Sequence, residues 1–211
     1  MALHALQAEG RHRIAGLLTT VTEGYGRVSM HGVRRELLSA QAASLGLPLD
    51  EVGIPPECIN PVYEARMEEA LRRHLANGVR RVAFGDIFLE DLRAYRERNL
   101  GRVGMQAVFP IWKRDTRELF REFLAKGFRA VIVCVDGKAL DASFAGRFLD
   151  ENLLRDLPAG ADPCGENGEF HTFVFDGPMF REPLRFTVGE TVERNGFFFT
   201  DLVSNESGGK T

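Results

Sequence analysis

Apolar and polar positions follow two different rhythms along this chain, and the change of rhythm divides it. In the first half, short apolar runs alternate with segments of helical period. Residues 2–9 have helical composition, and 12–21 (HRIAGLLTTV) read as a strand. Residues 32–45 place Val33, Leu37, Leu38 and Ala42 on one side of a helix. A short strand is expected over 47–54, an amphipathic helix over 62–76 and a strand over 81–84. A charged helix over 89–98 and a strand over 104–109 complete the series. This β-α-β-α order predicts a parallel sheet with helices on both faces.

After Pro110 the texture changes. Residues 115–126 read as a helix, with Asp115-Thr116 as its cap region and Gly127 at its end. Residues 128–135 (FRAVIVCV) form a near-continuous apolar run, the mark of a strand buried on both faces. Strands follow over 170–175, 184–193 and 197–203, and Asn195-Gly196 is a strong hairpin signal. The fold class expected is α/β: a parallel-sheet domain over 1–104, a smaller α+β domain over 105–203, and a polar, mobile tail over 204–211.

Composition narrows the field. The chain has 211 residues, 44% hydrophobic and 27% charged, as an ordinary globular protein does. A net charge of −3 and no isolated basic block leave no footprint for nucleic acid. Cys58, Cys134 and Cys164 are too few and too scattered for a disulfide framework, and no CxxC or HExxH pairing suggests a metal centre. No long apolar span or signal pattern is present, so the expectation is a cytoplasmic protein without a membrane partner.

Three runs carry candidate chemistry. Val28-Ser29-Met30-His31-Gly32-Val33-Arg34 follows a strand at its carboxyl end, where α/β sheets bind ligands. It reads either as a polar turn before a helix or as a nucleotide-base pocket with Met30 as an apolar wall. Gly85-Asp86 ends another strand, where a glycine admits a ligand and a carboxylate meets a ribose or a metal. Arg93 and Arg96, three apart, can share a helix face and meet a phosphate, or belong to a solvated face of ion pairs. The densest run is Pro163-Cys164-Gly165-Glu166-Asn167-Gly168-Glu169-Phe170-His171-Thr172. Gly165 and Gly168 can shape a loop of inward N–H groups that cradles an anion. Glu166 and Glu169 can serve as base, ammonium binder or metal ligand. In the strand that follows, His171, Phe173 and Phe175 share one face, with Thr172, Val174 and Asp176 on the other. The plainer reading is a capped turn that satisfies its own backbone.

Taken in order, LLTTV at 17–21, VSMHGVR at 28–34, AFGDIFLEDLRAYRE at 83–97, FPIW at 109–112, CVDG at 134–137 and DPCGENGEFHTFVFDGP at 162–178 resemble the diphthine–ammonia ligase family. That family belongs to the adenine-nucleotide alpha-hydrolase, or PP-loop, superfamily. The resemblance implies a Rossmann-like domain of that type binding ATP with Mg²⁺, and a second domain holding the acceptor. The reaction it implies is an amidation. ATP adenylates a carboxylate, ammonia displaces AMP, and pyrophosphate is released. Met30 and His31 would lie near adenine, and Gly85, Asp86, Arg93 and Arg96 would close the nucleotide site. Gly165, Asn167, Gly168 and Thr172 would bind the acceptor, with Glu166, Glu169 and His171 as the catalytic groups. The acceptor implied is diphthine on an elongation factor, or a small carboxylate, and a homodimer stays open as the assembly.

The strand and Ser-Gly-Gly-Lys-Asp-Ser loop that open the family's nucleotide site have no counterpart, because Met1-Ala2-Leu3-His4-Ala5-Leu6 matches the helix after that motif. The expectation is a chain less stable than a longer form, binding ATP weakly. The alternatives are a non-catalytic adenine-nucleotide-binding protein or an adenine nucleotide hydrolase. Ser207-Gly208-Gly209-Lys210-Thr211 resembles the absent loop and reads as a chance likeness in a polar tail.

Overall fold

Strand pairing sorts the elements into three sheets. The computed structural model describes residues 1–205, so the Ser207–Thr211 run lies outside the described residues. Helix α1 (Ala2–Glu9) leads to β1 (Leu17–Thr22), β2 (Arg27–Val28), α2 (Arg35–Leu45), β3 (Leu49–Ile54) and α3 (Asn60–Ala76). Then come β4 (Arg81–Ala83), α4 (Glu90–Arg102), β5 (Gln106–Val108), α5 (Thr116–Ala125) and β6 (Arg129–Asp136). A 3-10 turn (Ala142–Phe144), α6 (Glu151–Asp156), β7 (Phe170–Asp176), β8 (Phe186–Arg194) and β9 (Phe197–Ser204) follow. The expected strand over 12–21 forms a ladder only from Leu17, and Ser204, assigned to the tail, ends β9.

The parallel part is mixed and divided. Strand β1 pairs in parallel with β3 and antiparallel with the short β2, and β4 pairs in parallel with β5. The single parallel sheet expected from the β-α-β-α order is therefore two pieces. Leu17 N–H donates to Pro48 and Glu23 N–H to Ile54, so the odd residues of β1 face β3. Leu18 and Thr20 then turn their backbone groups the other way. By the same parity, Phe84 N–H donates to Val108, so Arg81 and Ala83 face away from β5. Leu18, Thr20, Arg81 and Ala83 all line one cleft of ≈ 860 Å³. Its apolar wall includes Leu71, Val82, Phe84, Leu100 and Met105. The buried side-chain oxygen Oδ1 of Asn99, which also lines the cleft, accepts no hydrogen bond.

The last four strands form one antiparallel sheet in the order β7-β6-β9-β8. Strand β6 is the buried spine foreseen from its apolar run, with Val131, Ile132 and Val135 at 0% exposure. One face packs Val131, Val133, Phe173, Phe175 and Leu202 against Val33 and Leu37 of the α2 region. The other packs Ile132, Val135 and Phe170 against Phe120 of α5 and Leu153 and Leu154 of α6. Helix α2 is also pinned by polar contacts. Gln41 Nε2 donates to the Val174 carbonyl at 2.6 Å, and Ser44 Oγ to that of Glu182 at 2.7 Å. Arg27 and Arg34 both donate to the Asp201 carboxylate on β9.

Local signals explain the ends. Asp115 caps α5 by accepting from Glu118 N–H at 2.8 Å. The β8–β9 turn has Asn195 and Gly196 both left-handed, at φ 53° and 82°, as a two-residue hairpin of this kind requires. Helix α6, not foreseen from the sequence, has a similar cap: Asp150 accepts from Leu153 N–H at 2.7 Å.

Candidate functional site

The loop before β7 folds around two of its own carboxylates. Glu169 is 5% exposed. Its Oε1 accepts from Asp162 N–H at 2.8 Å and from Asn167 Nδ2 at 2.9 Å, and its Oε2 accepts from Asn167 N–H at 3.0 Å. Asp162 Oδ2 accepts from the N–H groups of Cys164 at 3.2 Å and Glu166 at 2.9 Å. The N–H groups of this loop are thus taken up by its own carboxylates and carbonyls, as in the plainer reading of a turn that satisfies its own backbone. Gly165 has φ 68°, and a Cβ there would sit 2.6 Å from the Phe170 carbonyl oxygen, so the turn requires glycine.

Glu166 leaves this loop for the other half of the molecule. Its Oε1 accepts from Ile87 N–H at 2.6 Å and from Phe88 N–H at 3.3 Å. Its Oε2 accepts nothing from the described residues. Burial raises its pKa above the ordinary carboxylate range, the two N–H donors oppose that, and Asp86 and Asp162 add to the rise. The run at 84–96 and the run at 162–172 therefore meet at one carboxylate. Gly85, at the carboxyl end of β4, has open space where a Cβ would be.

Asp86 and the two arginines diverge in role. Asp86 is 8% exposed and binds Arg96 through both oxygens, and the Arg96 guanidinium lies 4.4 Å from the Phe84 ring centroid. Arg93 instead donates Nε to Glu97 at 2.8 Å and sits 5.0 Å from the Phe109 ring and 4.8 Å from the Trp112 ring. Lys113, next to Trp112, holds φ 57° while its N–H donates to Ile87 at 2.7 Å. Trp112 belongs to the FPIW run that carries part of the resemblance but was given no role, and Lys113 was not singled out from sequence.

His31 and His171 bring a second pair of runs together, with ring centroids 4.5 Å apart and planes tilted by 36°. Burial lowers the His31 pKa to about 4, with His171 adding to the fall, against a hydrogen bond to the Thr172 backbone. Burial also lowers His171. Both rings are neutral at neutral pH, able to donate and accept but not to neutralise an anion. Met30, at φ 64°, is 67% exposed. Cys164 donates Sγ–H to the Thr116 carbonyl at 3.3 Å, and burial pushes its thiol up to about 12. Burial pushes Cys134 up to about 11, so neither is a ready nucleophile. Among the described residues, no group of three or more His, Cys, Asp or Glu side chains is arranged to hold a metal ion.

Comparison with known proteins gives the same direction as the motifs. Residues 115–203 match the diphthamide synthase C-terminal domain. A diphthine–ammonia ligase of Schizosaccharomyces pombe is 25% identical over 178 residues, covering 77% of this chain and 29% of that protein. Those of Rattus norvegicus and Homo sapiens are 31% identical over 116 residues and 32% over 110. These two matches cover 53% and 49% of this chain, and 43% and 41% of the relatives. The chain spans less than half the length of the curated relatives it matches. No helix among the described residues is long and apolar enough to cross a membrane.

Proposed function

This chain is diphthine–ammonia ligase-like in sequence, and on that premise we propose that it takes part in ATP-dependent amide formation on a carboxylate acceptor. The observation that carries the reading is the Glu166 carboxylate, which joins the acceptor loop to the backbone after β4. Strand β4 runs out to Gly85, at the carboxyl end of a parallel strand where ligands of α/β proteins bind, while the His31 loop follows β2, which turns back antiparallel along β1. What supports an adenine nucleotide there is open space at Gly85 and a neutral imidazole at His31. ATP supplies AMP as the leaving group, since a carboxylate is a poor electrophile until so activated. No three-residue ligand set for Mg²⁺ exists among the described residues, so the ion is assigned to the nucleotide's phosphates and no step passes through it.

In this scheme the free Oε2 of Glu166 accepts a proton from the attacking ammonia, helped by its raised pKa. Glu169 and Asn167 hold the loop in place, and His171 and Thr172 line the acceptor side. The acceptor is diphthine or a related carboxylate, by analogy with the relatives' names.

The test is product analysis with ATP, ammonium and a diphthine-bearing elongation factor. AMP and pyrophosphate formed only with acceptor and ammonium present support the ligase. Nucleotide cleavage without acceptor, or no turnover at all, overturns it. Glu166→Gln should lower turnover by about 100-fold or more, the usual scale for losing a general base.

A further inference from the structure

The two parallel pairs rest on one apolar layer without touching edge to edge. Leu18 of β1, Val82 of β4 and Phe84 just after it all pack against one buried set: Leu71 of α3, Leu100 of α4, Val103 and Met105. The pairs β1–β3 and β4–β5 thus share a helical layer, as parts of a single sheet do. Yet no strand among the described residues joins them, and the cleft of ≈ 860 Å³ lies between.

Backbone groups point into that cleft from both sides. On β1 the far end is occupied: Val21 and Thr22 pair with β2, and the Thr20 carbonyl accepts from Ser29 N–H at 3.1 Å. The Thr20 N–H and both backbone groups of Leu18 have no partner among the described residues, and neither have those of Arg81 and Ala83 on β4. A bare strand edge is a template for another strand, and two edges on one cleft are satisfied together by an extended chain lying between them. A lipid chain has no N–H to offer, and a helix spends its own internally. The buried Oδ1 of Asn99, which lacks a donor, lines the same cleft.

Side chains set the character of the chain that suits. Leu3 and Leu6 of α1, Met67 and Leu71 of α3 and Leu100 of α4 make the lining apolar. Its exposed charges are Arg11, Arg13, Arg80 and Arg81, none paired with a carboxylate among the described residues, and no Asp or Glu lines the cleft. An apolar segment with acidic flanks complements such a surface.

We propose that this cleft is a receptor for an extended polypeptide segment from outside the described residues: about five apolar residues, the usual length of a strand, flanked by acidic ones. It takes the place between β1 and β4 and makes the two pairs one sheet. The inference does not rest on the ligase reading.

The experiment titrates the full chain with fluorescein-labelled acetyl-Asp-Val-Ile-Val-Ala-Val-Asp-amide, followed by anisotropy, and reads amide hydrogen exchange residue by residue by NMR. Saturable binding is expected, with exchange at Leu18, Thr20, Arg81 and Ala83 slowed about 10-fold or more. Methylating alternate peptide nitrogens keeps the apolar side chains and removes donors, and should raise Kd about 10-fold or more. Ala83→Pro should do the same with little change in melting temperature, because the N–H it removes faces away from β5. Arg81→Glu, or Lys for both Asp of the peptide, should also weaken binding. The receptor is overturned if the peptide does not bind, if those four amides exchange as before, or if the N-methylated peptide binds equally well. Slowing of the same amides by decanoate would give the cleft to an acyl chain. Slowing that grows with protein concentration, without peptide, would give it to a second copy. Either result overturns the peptide strand.

Discussion

The two sheet regions of this molecule bury their strands to very different depths. In the antiparallel region, β6 lies between helices on both faces, and its central side chains are closed to water. In the parallel region, β1 and β4 each keep one parallel partner; the outer edge of β4, and that of β1 ahead of its pairing with β2, border a shared cleft. The sequence already differs in kind: FRAVIVCV is apolar except for Arg129, whereas LLTTVT and RVA are short or mixed. The lesson is that cohesion sits in the sheet that carries the Glu166 loop. The loops around Arg27 and His31 are held against it by α2, Arg27, Arg34 and the histidine pair.

The sharpest test of that comparison is truncation. Ile132→Ala should destabilise the fold by about 2–5 kcal/mol, the range for a fully buried aliphatic side chain. Leu18→Ala, at the half-buried cleft, should cost about 1 kcal/mol. Equal costs in urea unfolding would break the contrast. Within the site loop, Glu169→Ala strands three N–H donors and should cost about 3 kcal/mol. Glu166→Gln should barely move the unfolding midpoint while lowering turnover.

The seam between the regions should show in the pH dependence. His31 has its pKa lowered from 6.5 to about 4, so the unfolded chain takes up the proton first. Stability should therefore fall by about 3 kcal/mol as pH drops from 6.5 towards 4, and then level off. His31→Gln should flatten that slope. Asp201 works in the lower window: hydrogen bonds from Arg34 foremost, and from Arg27, lower its pKa from 3.8 to about 2 against its burial. Its contribution is present above pH 3.8 and lost as pH falls towards 2. Allowing for solvent around a partly exposed pair, it amounts to about 1 kcal/mol. Asp201→Asn should remove it, as read by acid unfolding.

Much of this was legible in the residues. Helices and strands follow the apolar periods, and the face shared by Phe173 and Phe175 is the one packed on Val33 and Leu37. Helix α6 was missed because six residues give too little period, although Asp150 ahead of Leu153-Leu154 is a readable cap signal. The separation of the parallel pairs was not legible, since order along the chain says nothing about which edges meet. Nor was the division of labour between the glutamates. Glu166 and Glu169 look equivalent in the run, and only the folded loop shows that one holds backbone amides of its own turn and the other reaches Ile87. Arg93 and Arg96 likewise share a helix face by spacing, and their partners separate them.

The packing of α2 on the antiparallel sheet also bears on how the chain is made. Val33 and Leu37 are synthesised almost a hundred residues before Val131 and Val133, which cover them. Until then the helix emerges from the ribosome with its apolar face open, and contacts so distant in sequence close slowly. Biogenesis therefore carries a waiting period, in which a holdase that masks the α2 face would raise the yield of folded protein.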